Sequence, residues 1–385
     1  MSYKVFIAGS GGIGSAVAVL LRSVWDERVD IWLGDISEEN LENAQNFIYQ
    51  SEVYWEGDQE KKAEIDGKIE TIQMLADWQN TLPQMDILLD CLPGKFAPKM
   101  AQIAKDHKMH YVNLTEYVQE TKKIQEIAKD AETGFALQCG LAPGFINIVG
   151  LHLFNTFLDN FEVTKIKNLE MRVGALTKHA TAPHFYGFTW SPIGVATEYI
   201  KDSEVVKDGI LQTVPSLSDT KIKLVDGTVL EEDFTSGGVA DLPFALAGQV
   251  ESLNYKTFRY PGHYSWIKEQ LSKMPSDISS QDRIARLEEI MLSTIPSVED
   301  DIVVIYTAVE GLDSNGVLRR LEESFWVDPI EVGNTTLRAI QATTAAGMAE
   351  AARILLTSNH KGVLLQSQFD TEDYLSGPFI SAIYE

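Results

Sequence analysis

Six residues near the amino terminus, Gly9, Ser10, Gly11, Gly12, Ile13 and Gly14, have the types and spacing to cradle a pyrophosphate. They follow the apolar run Val5 to Ala8 and lead into the helical run Ala16 to Leu21, so they sit where a strand hands over to a helix. In that context Gly9 permits the tight turn, Gly11 lets the backbone approach the phosphates, and Gly14 allows close helix-to-sheet packing, while the helix N-terminus offers free amides. A glycine-rich turn alone is a weak signal. Asp35, about 20 residues further on at the end of the next apolar run, supplies the expected partner, because a carboxylate there can accept hydrogen bonds from both hydroxyls of an adenosine ribose. The same charge would repel a 2′-phosphate, and no arginine follows within Ile36 to Asn40. The pattern predicts NAD as cofactor, with NADP not excluded.

The elements that would position this loop can be read from the apolar pattern. Lys4 to Ala8, Val29 to Leu33, Lys68 to Ile72, Ile87 to Asp90, His110 to Asn113 and Phe135 to Gln138 read as strands, with amphipathic helices such as Gly14 to Val24 and Ser37 to Ser51 between them. Parallel neighbours need a crossover, and helices then cover both faces, so the alternation predicts a Rossmann-type parallel sheet. Cys91 and Cys139 end two of these strands and should lie at the carboxyl edge, where a dinucleotide crevice forms. Their apolar neighbours suggest packing rather than nucleophilic chemistry. Cys91, Leu92 and Pro93, with Gly94, would shape the wall beside the nicotinamide, or form an ordinary strand-to-helix turn. After Gly140 longer strands follow, Ile166 to Gly174 and Asp301 to Glu310, with a helix near Gln281 to Ser293. This part reads as α+β on a mixed or antiparallel sheet. The last long helix is predicted over Thr335 to Leu356, with small residues that permit close packing. The acidic stretch Glu52 to Glu64 reads as a solvated excursion.

Bulk properties narrow the function classes. A chain of 385 residues has room for two or three domains with cores of their own. Its 56 acidic residues against 32 basic ones give a net charge of -24, which would repel a phosphate backbone, and the basic residues are not gathered into one run. Nucleic acid is therefore not an expected partner. The start of the chain lacks the basic, long apolar and small-residue regions of a secretory signal, which predicts a cytoplasmic protein. No long uncharged apolar window predicts a membrane span; Ala339 to Leu356 is broken by Glu350 and Arg353. Two cysteines cannot build a disulfide framework or a zinc site of their own, and no metal is expected.

Seven segments in order resemble the saccharopine dehydrogenase family, which also holds lysine 6-dehydrogenases and carboxynorspermidine-forming enzymes. They are GSGGIG at the amino terminus, CLPG at Cys91 to Gly94, CGLAPGFIN at Cys139 to Asn147, WSP at Trp190 to Pro192, TSGG at Thr235 to Gly238, NYKTFRYPGH at Asn254 to His263, and TTAAG at Thr343 to Gly347. The resemblance spans nearly the whole chain. It implies an α/β fold, a Rossmann-type NAD(P)-binding domain over 1–144 with an inserted α+β substrate and dimerisation domain over 145–334. Residues 335–385 would then return to the first domain as a C-terminal helix and tail. It also implies a homodimer acting on a small amino-acid substrate.

Amino-acid carboxylates call for local cations in so acidic a chain. Arg259, Arg172 and Lys178 lie in the second domain, and the planar arginine fork suits a carboxylate, unless they make ordinary ion pairs. Proton transfer near neutrality calls for a histidine or a perturbed group. His263 is the first candidate, with a helix-capping role as the alternative, and Tyr260, His184 and Glu116 follow. Trp190 and Ser191 could line the pocket, and Gly237 and Gly238 could let backbone approach a ligand or merely turn the chain. The expected activity is oxidation of the secondary amine of saccharopine with NAD(P), giving glutamate and 2-aminoadipate 6-semialdehyde. Lysine 6-dehydrogenase and carboxynorspermidine dehydrogenase are the nearest alternatives, and a non-catalytic NAD-binding regulator is the reading from another class.

Overall fold

The computed structural model describes residues 2–51 and 67–384; the excursion expected at Glu52 to Glu64 lies outside them. The chain divides into two compact units, one of Met1–Phe145, Ile330–Leu337 and Gln341–Glu385, the other of Ile146–Pro329 with Arg338–Ile340. The chain thus re-enters the first unit at Ile330, a few residues before the boundary the sequence suggests, and three residues then belong to the second.

The first unit is built on seven parallel strands: β1 Ser2–Ala8, β2 Arg28–Asp35, β3 Ile69–Gln73, β4 Ile87–Asp90, β5 His110–Asn113, β6 Gly134–Ala136 and a last strand Gly362–Leu364. Their spatial order is Gly362–Leu364, β6, β5, β4, β1, β2, β3. The inner strands β1, β4 and β5 carry continuous buried runs because helices cover both faces, and every residue of β4 is buried. The order reverses at β1. The carboxyl ends of β1 and β4, at Ala8 and Asp90, therefore flank the position at which doubly wound sheets bind ligands. Helix α1, Gly12–Ser23, opens directly from β1 and buries Ala16 to Leu21, and α2 follows β2 over Glu38–Ser51.

The second unit holds an eight-stranded mixed sheet of β7 Ile166–Thr177, β8 Ser203–Lys207, β9 Ile210–Val214, β10 Lys221–Val225, β11 Thr228–Phe234, β12 Val250–Arg259, β13 Asp301–Leu312 and β14 Leu318–Val327. The main path runs β10, β11, β12, β7, β13, β14; only β12 and β7 pair in parallel. One side packs Leu176, Leu230, Phe258 and Val304. A separate cluster joins Tyr199 of α3 (Pro192–Ile200), Tyr264 and Trp266 of α4 (His263–Ser272) and Leu287 of α5 (Ser280–Thr294). Because side chains alternate along a strand, Phe258 and Arg259 of β12 point to opposite sides.

The long C-terminal helix, α6, starts at Ala339 and ends at Thr357, not at the expected Thr335. Thr335–Leu337 instead pairs antiparallel with Ile330–Val332, as β-branched threonines favour. The helix begins where the buried Asp301 carboxylate accepts from the Ala339 and Ile340 amides at 2.7 and 2.8 Å, two groups the helix leaves unpaired.

Candidate functional site

In the first unit the glycine loop has the geometry its spacing suggests. Gly9 adopts φ +98°, and a Cβ there would come within 3.0 Å of the Cys91 carbonyl oxygen. At Gly14 a Cβ would lie 1.9 Å from the Gly9 carbonyl oxygen, so any side chain would drive α1 off the loop. Gly11, at the N-cap of α1, is the reverse: nothing among the described residues lies within 4 Å of a Cβ built on it. Among the described residues no side chain caps this end of α1, and Gly12 and Ile13 form its first turn, so backbone amides and open space meet where an anion would sit. These residues fit a dinucleotide pyrophosphate.

Asp35 ends β2 and is buried beside the loop. Its Oδ2 accepts from the Ser10 amide and hydroxyl at 3.1 and 3.2 Å, and its Oδ1 from the Ser37 amide at 3.0 Å and the Asn40 side chain at 3.3 Å. Burial works against the charge, but these donors outweigh it and hold the carboxyl below its usual range. The acid is therefore ionised and tied to the phosphate loop through Ser10.

Across the switch point, the Cys91 amide donates to Ala8 at 2.8 Å, which ties this turn to the end of β1. Leu92 packs where a side chain on Gly9 would go, and Pro93 precedes a short 3-10 turn. The Cys91 thiol contacts the Met348 sulfur at 3.6 Å, and burial, reinforced by Asp90, pushes its pKa up; burial does the same for Cys139. Both are thiols used in packing. Beneath the turn, the buried Asp90 accepts from the Tyr111 hydroxyl at 2.7 Å and the Leu92 amide at 3.1 Å. Burial pushes this carboxyl up to about 7 despite both bonds.

In the second unit Arg259 is the centre of a buried cluster. Its Nε donates to the Tyr199 hydroxyl at 2.7 Å, Nη1 donates to the Phe258 carbonyl at 2.8 Å, and Cζ stands 4.7 Å from the Tyr186 ring centroid. Burial opposes its charge, but a guanidinium does not deprotonate in proteins, and Glu198 favours the charge through space. Among the described residues no carboxylate lies within ion-pair distance of Arg259. A buried guanidinium in this state is suited to an anionic ligand.

The other expected substrate and proton-transfer residues need correction. Arg172 is buried in a two-pronged pair with Glu232, at 2.7 and 3.3 Å, and donates its remaining nitrogen to the Met171 and Asn254 carbonyls, so its charge is already spent. Lys178 pairs with Asp328 at the surface. Tyr260 packs with Phe258 on the side of the sheet away from Arg259, which removes it from the cluster it was expected to serve. His263 is fully buried with both ring nitrogens engaged, 2.7 Å from the His184 carbonyl and 2.9 Å from the Tyr199 hydroxyl. Burial, followed by the Arg259 charge, pushes it down to about 3. It is a neutral structural imidazole, and His184 supplies its carbonyl anchor while its own ring accepts from the Tyr186 amide at 3.2 Å. Ser191 is exposed and caps α3 by accepting from the Gly194 amide at 3.3 Å, and Trp190 packs over Gly194. Gly237 takes φ +93° in a turn, whereas Gly238 lies under the Tyr255 ring and its carbonyl accepts from Asn147 at 3.0 Å. Glu116 is half-buried in the first unit, after β5.

Residues 5–135 match the family model of the saccharopine dehydrogenase NADP binding domain, and residues 140–383 match that of the saccharopine dehydrogenase C-terminal domain. This chain belongs to the saccharopine dehydrogenase family. The fold is similar to that of saccharopine dehydrogenase (L-Glu forming) from Saccharomyces cerevisiae, with TM-score 0.71 and 16% identity over 99% of this chain and 98% of that one. It is also similar to homospermidine synthase from Legionella pneumophila, solved with NAD, at TM-score 0.64 and 12% identity over 100% and 91% of the two chains. Among curated proteins, the mitochondrial alpha-aminoadipic semialdehyde synthase of Rattus norvegicus is 22% identical over 209 residues, 54% of this chain. The match spans only 20% of that relative's length.

For this member of the saccharopine dehydrogenase family, sequence motifs led to Arg259 and Asp35 but missed Tyr186, Tyr199 and Asp90. Tyr186 and Tyr199 lie far from Arg259 in sequence, and an apolar neighbourhood disguises them as core aromatics. Asp90 carried a signal that went unused, an acid closing an otherwise apolar buried strand. Among the described residues no group of three or more His, Cys, Asp or Glu could hold a metal ion, and no helix is long and apolar enough to cross a membrane.

Proposed function

We propose that this protein is an NAD(P)-dependent oxidoreductase acting on the carbon–nitrogen bond of an amino-acid-derived amine, with saccharopine as substrate. In that reaction saccharopine, NAD and water give glutamate, 2-aminoadipate 6-semialdehyde, NADH and a proton. The observation that carries the reading is the buried Arg259, which has no carboxylate partner among the described residues and lies in the unit matching the family's C-terminal domain. A bound nicotinamide would supply the hydride acceptor for the carbon bearing the amine. Arg259 holds a substrate carboxylate and orients that carbon, and the Tyr199–His263 chain keeps the guanidinium in place. The glycine loop and Asp35 bind the dinucleotide, and the Asp35 carboxylate supports NAD as the preferred form. The working protein is a cytoplasmic homodimer in this reading.

A second reading is favoured by one observation: Arg172 is consumed by Glu232 and Lys178 by Asp328, which leaves Arg259 as the buried cation for a substrate with fewer carboxylates. Lysine or carboxynorspermidine would suit that count better than saccharopine, which brings three. NADH formation assayed with saccharopine, lysine and carboxynorspermidine decides among them. The reading expects saccharopine to give the highest kcat/KM; turnover with none of the three would leave an NAD-binding regulator.

A further inference from the structure

Three tyrosines surround the Arg259 guanidinium, and two of them have spent their protons. Tyr264 donates to the Thr257 carbonyl at 2.6 Å. Tyr199 receives from Arg259 and passes its own proton to His263. Tyr186 is buried as completely, yet its hydroxyl has no hydrogen-bond partner among the described residues. The Trp190 indole acts on the Tyr186 oxygen as a donor, but an indole can only donate, so it offers the phenol proton nowhere to go.

An unsatisfied buried hydroxyl is costly, and a fold retains one where it serves something else. Other buried groups with an unpaired atom differ from Tyr186. Gln366 leaves its oxygen unpaired but donates through its nitrogen to the Leu137 and Gln138 carbonyls. Thr189, like Tyr186, has a single polar atom and leaves it unpaired. Among the described residues that leave a buried polar atom unpaired, Tyr186 has a guanidinium stacked 4.7 Å from its ring centroid. That guanidinium itself has no carboxylate within ion-pair distance among the described residues; Glu198 acts on it only through space. Two buried donors, one charged and one neutral, thus lack an anionic acceptor in the same place.

We infer that Tyr186 is a substrate-contacting residue, its hydroxyl donating to the carboxylate that Arg259 holds, so that a single carboxylate group is recognised by both. The inference rests on the carboxylate-bearing amine proposed above as substrate. It also explains why the ring is a tyrosine when packing against Phe188 and His263 would be met equally by phenylalanine.

Tyr186→Phe tests it, because the ring and its stacking on Arg259 are kept while the hydroxyl is lost. Two readouts separate a ligand contact from a structural role: thermal unfolding of the ligand-free protein, and calorimetric titration of saccharopine, with glutamate and lysine as further probes, in the presence of NADH. The expected result is a Tm equal to or above that of the wild type together with a roughly ten- to hundredfold weaker saccharopine affinity, the range for a hydrogen bond to a charged group. NADH affinity should not change. Unaltered binding of all three probes by the variant overturns the inference, as does a fall in Tm, which would mean that the hydroxyl is paired in the fold. Wild-type protein that binds none of the three removes the substrate reading itself, a result distinct from a wild type that binds and a variant that binds equally well.

Discussion

The His263 imidazole and the Tyr199 hydroxyl lie 2.9 Å apart, and the direction of their bond is set from both ends. The His184 carbonyl can only accept, so the proton of the neutral ring is on Nδ1 and Nε2 accepts from Tyr199. The Tyr199 oxygen is left to accept from Arg259 Nε. Arg259, Tyr199, His263 and the His184 carbonyl thus form one directed chain, and protonating His263 would reverse its central bond. The histidine first read as an acid or base is the residue that orients the cation.

This gives a pH dependence with a definite sign. A free imidazole titrates near 6.5, and His263 is held at about 3, so the unfolded chain binds more protons between those values. The stability contributed by neutral His263 is complete above about 6.5 and is lost as the pH falls toward 3. His263→Phe should be less stable than wild type at neutral pH, and its stability should decline less steeply on acidification. Denaturant unfolding between about pH 8 and 4 measures this; parallel declines would count against the neutral imidazole.

Asp90 has the opposite sign. Its carboxyl is raised to about 7 from an ordinary 3.8, so the stability it contributes is complete below about 3.8 and is lost as the pH rises through about 7. Asp90→Asn keeps an oxygen for the Leu92 amide and never ionises. Its stability relative to wild type should grow between about pH 4 and 7 and level off above that, and a difference that stays constant from about pH 4 to 7 would show that the carboxyl is not raised.

Arg172 and Arg259 should separate stability from substrate binding. Arg172→Met leaves Glu232 buried without its main cation, and breaking a buried pair from one side costs about 3 to 5 kcal/mol of stability. Arg259→Gln should instead raise the substrate KM roughly ten- to hundredfold, with NADH affinity unchanged. Equal loss of stability in both variants would make Arg259 a structural cation rather than a substrate ligand.

How far the sequence reached depends on whether an interaction is local. The glycine loop, its strand and its helix form one continuous segment, so GxGxxG with Asp35 described a geometry that the fold reproduces. The limits of β4 and β5 agree residue for residue because short apolar runs bounded by polar turns leave little choice. Arg172 and Arg259 could not be told apart, since the partner that neutralises Arg172 lies sixty residues away on β11. Tyr260 failed for another reason: one step along the chain moves a side chain to the opposite face of a sheet, and the motif RYPGH does not say which face holds the ligand. Thr335 read as helix because the pairing that claims it comes from the preceding hairpin strand.

The glycines of the loop give a paired test. Gly11→Val adds a side chain into open space, so the fold should persist while NADH binding is lost, because the new atoms occupy the region needed by the pyrophosphate. Gly14→Ala adds one carbon 1.9 Å from the Gly9 carbonyl oxygen and should destabilise the first unit outright. Circular dichroism melting with calorimetric titration of NADH reads both effects, and NADH binding by Gly11→Val at wild-type affinity would rule out this loop as the pyrophosphate site.

Cofactor choice rests on Asp35 and on what already holds it. Its two oxygens are engaged by the Ser10 amide and hydroxyl, the Ser37 amide and the Asn40 side chain, which together account for the acceptor positions of a carboxylate. An adenosine ribose can bond to Asp35 by displacing the two side-chain donors, Asn40 and the Ser10 hydroxyl, while the two backbone amides continue to fix the group and its charge. A 2′-phosphate would meet that fixed charge at close range, an opposition on the order of several kcal/mol before screening. Arg22, a cation near enough in sequence to be considered as a phosphate partner, donates to the Gly67 carbonyl at 2.7 Å and is held there. Wild type should therefore prefer NAD. Asp35→Ser removes the charge and keeps a small polar group, so kcat/KM with NAD should fall and the gap to NADP should narrow by a factor of ten or more, about 1.4 kcal/mol per tenfold. Specificity constants for both cofactors, measured on wild type and variant with the same amine substrate, give the answer; a wild type that favours NADP would mean that Asp35 stays committed to Ser10 and Asn40 and never meets the ribose.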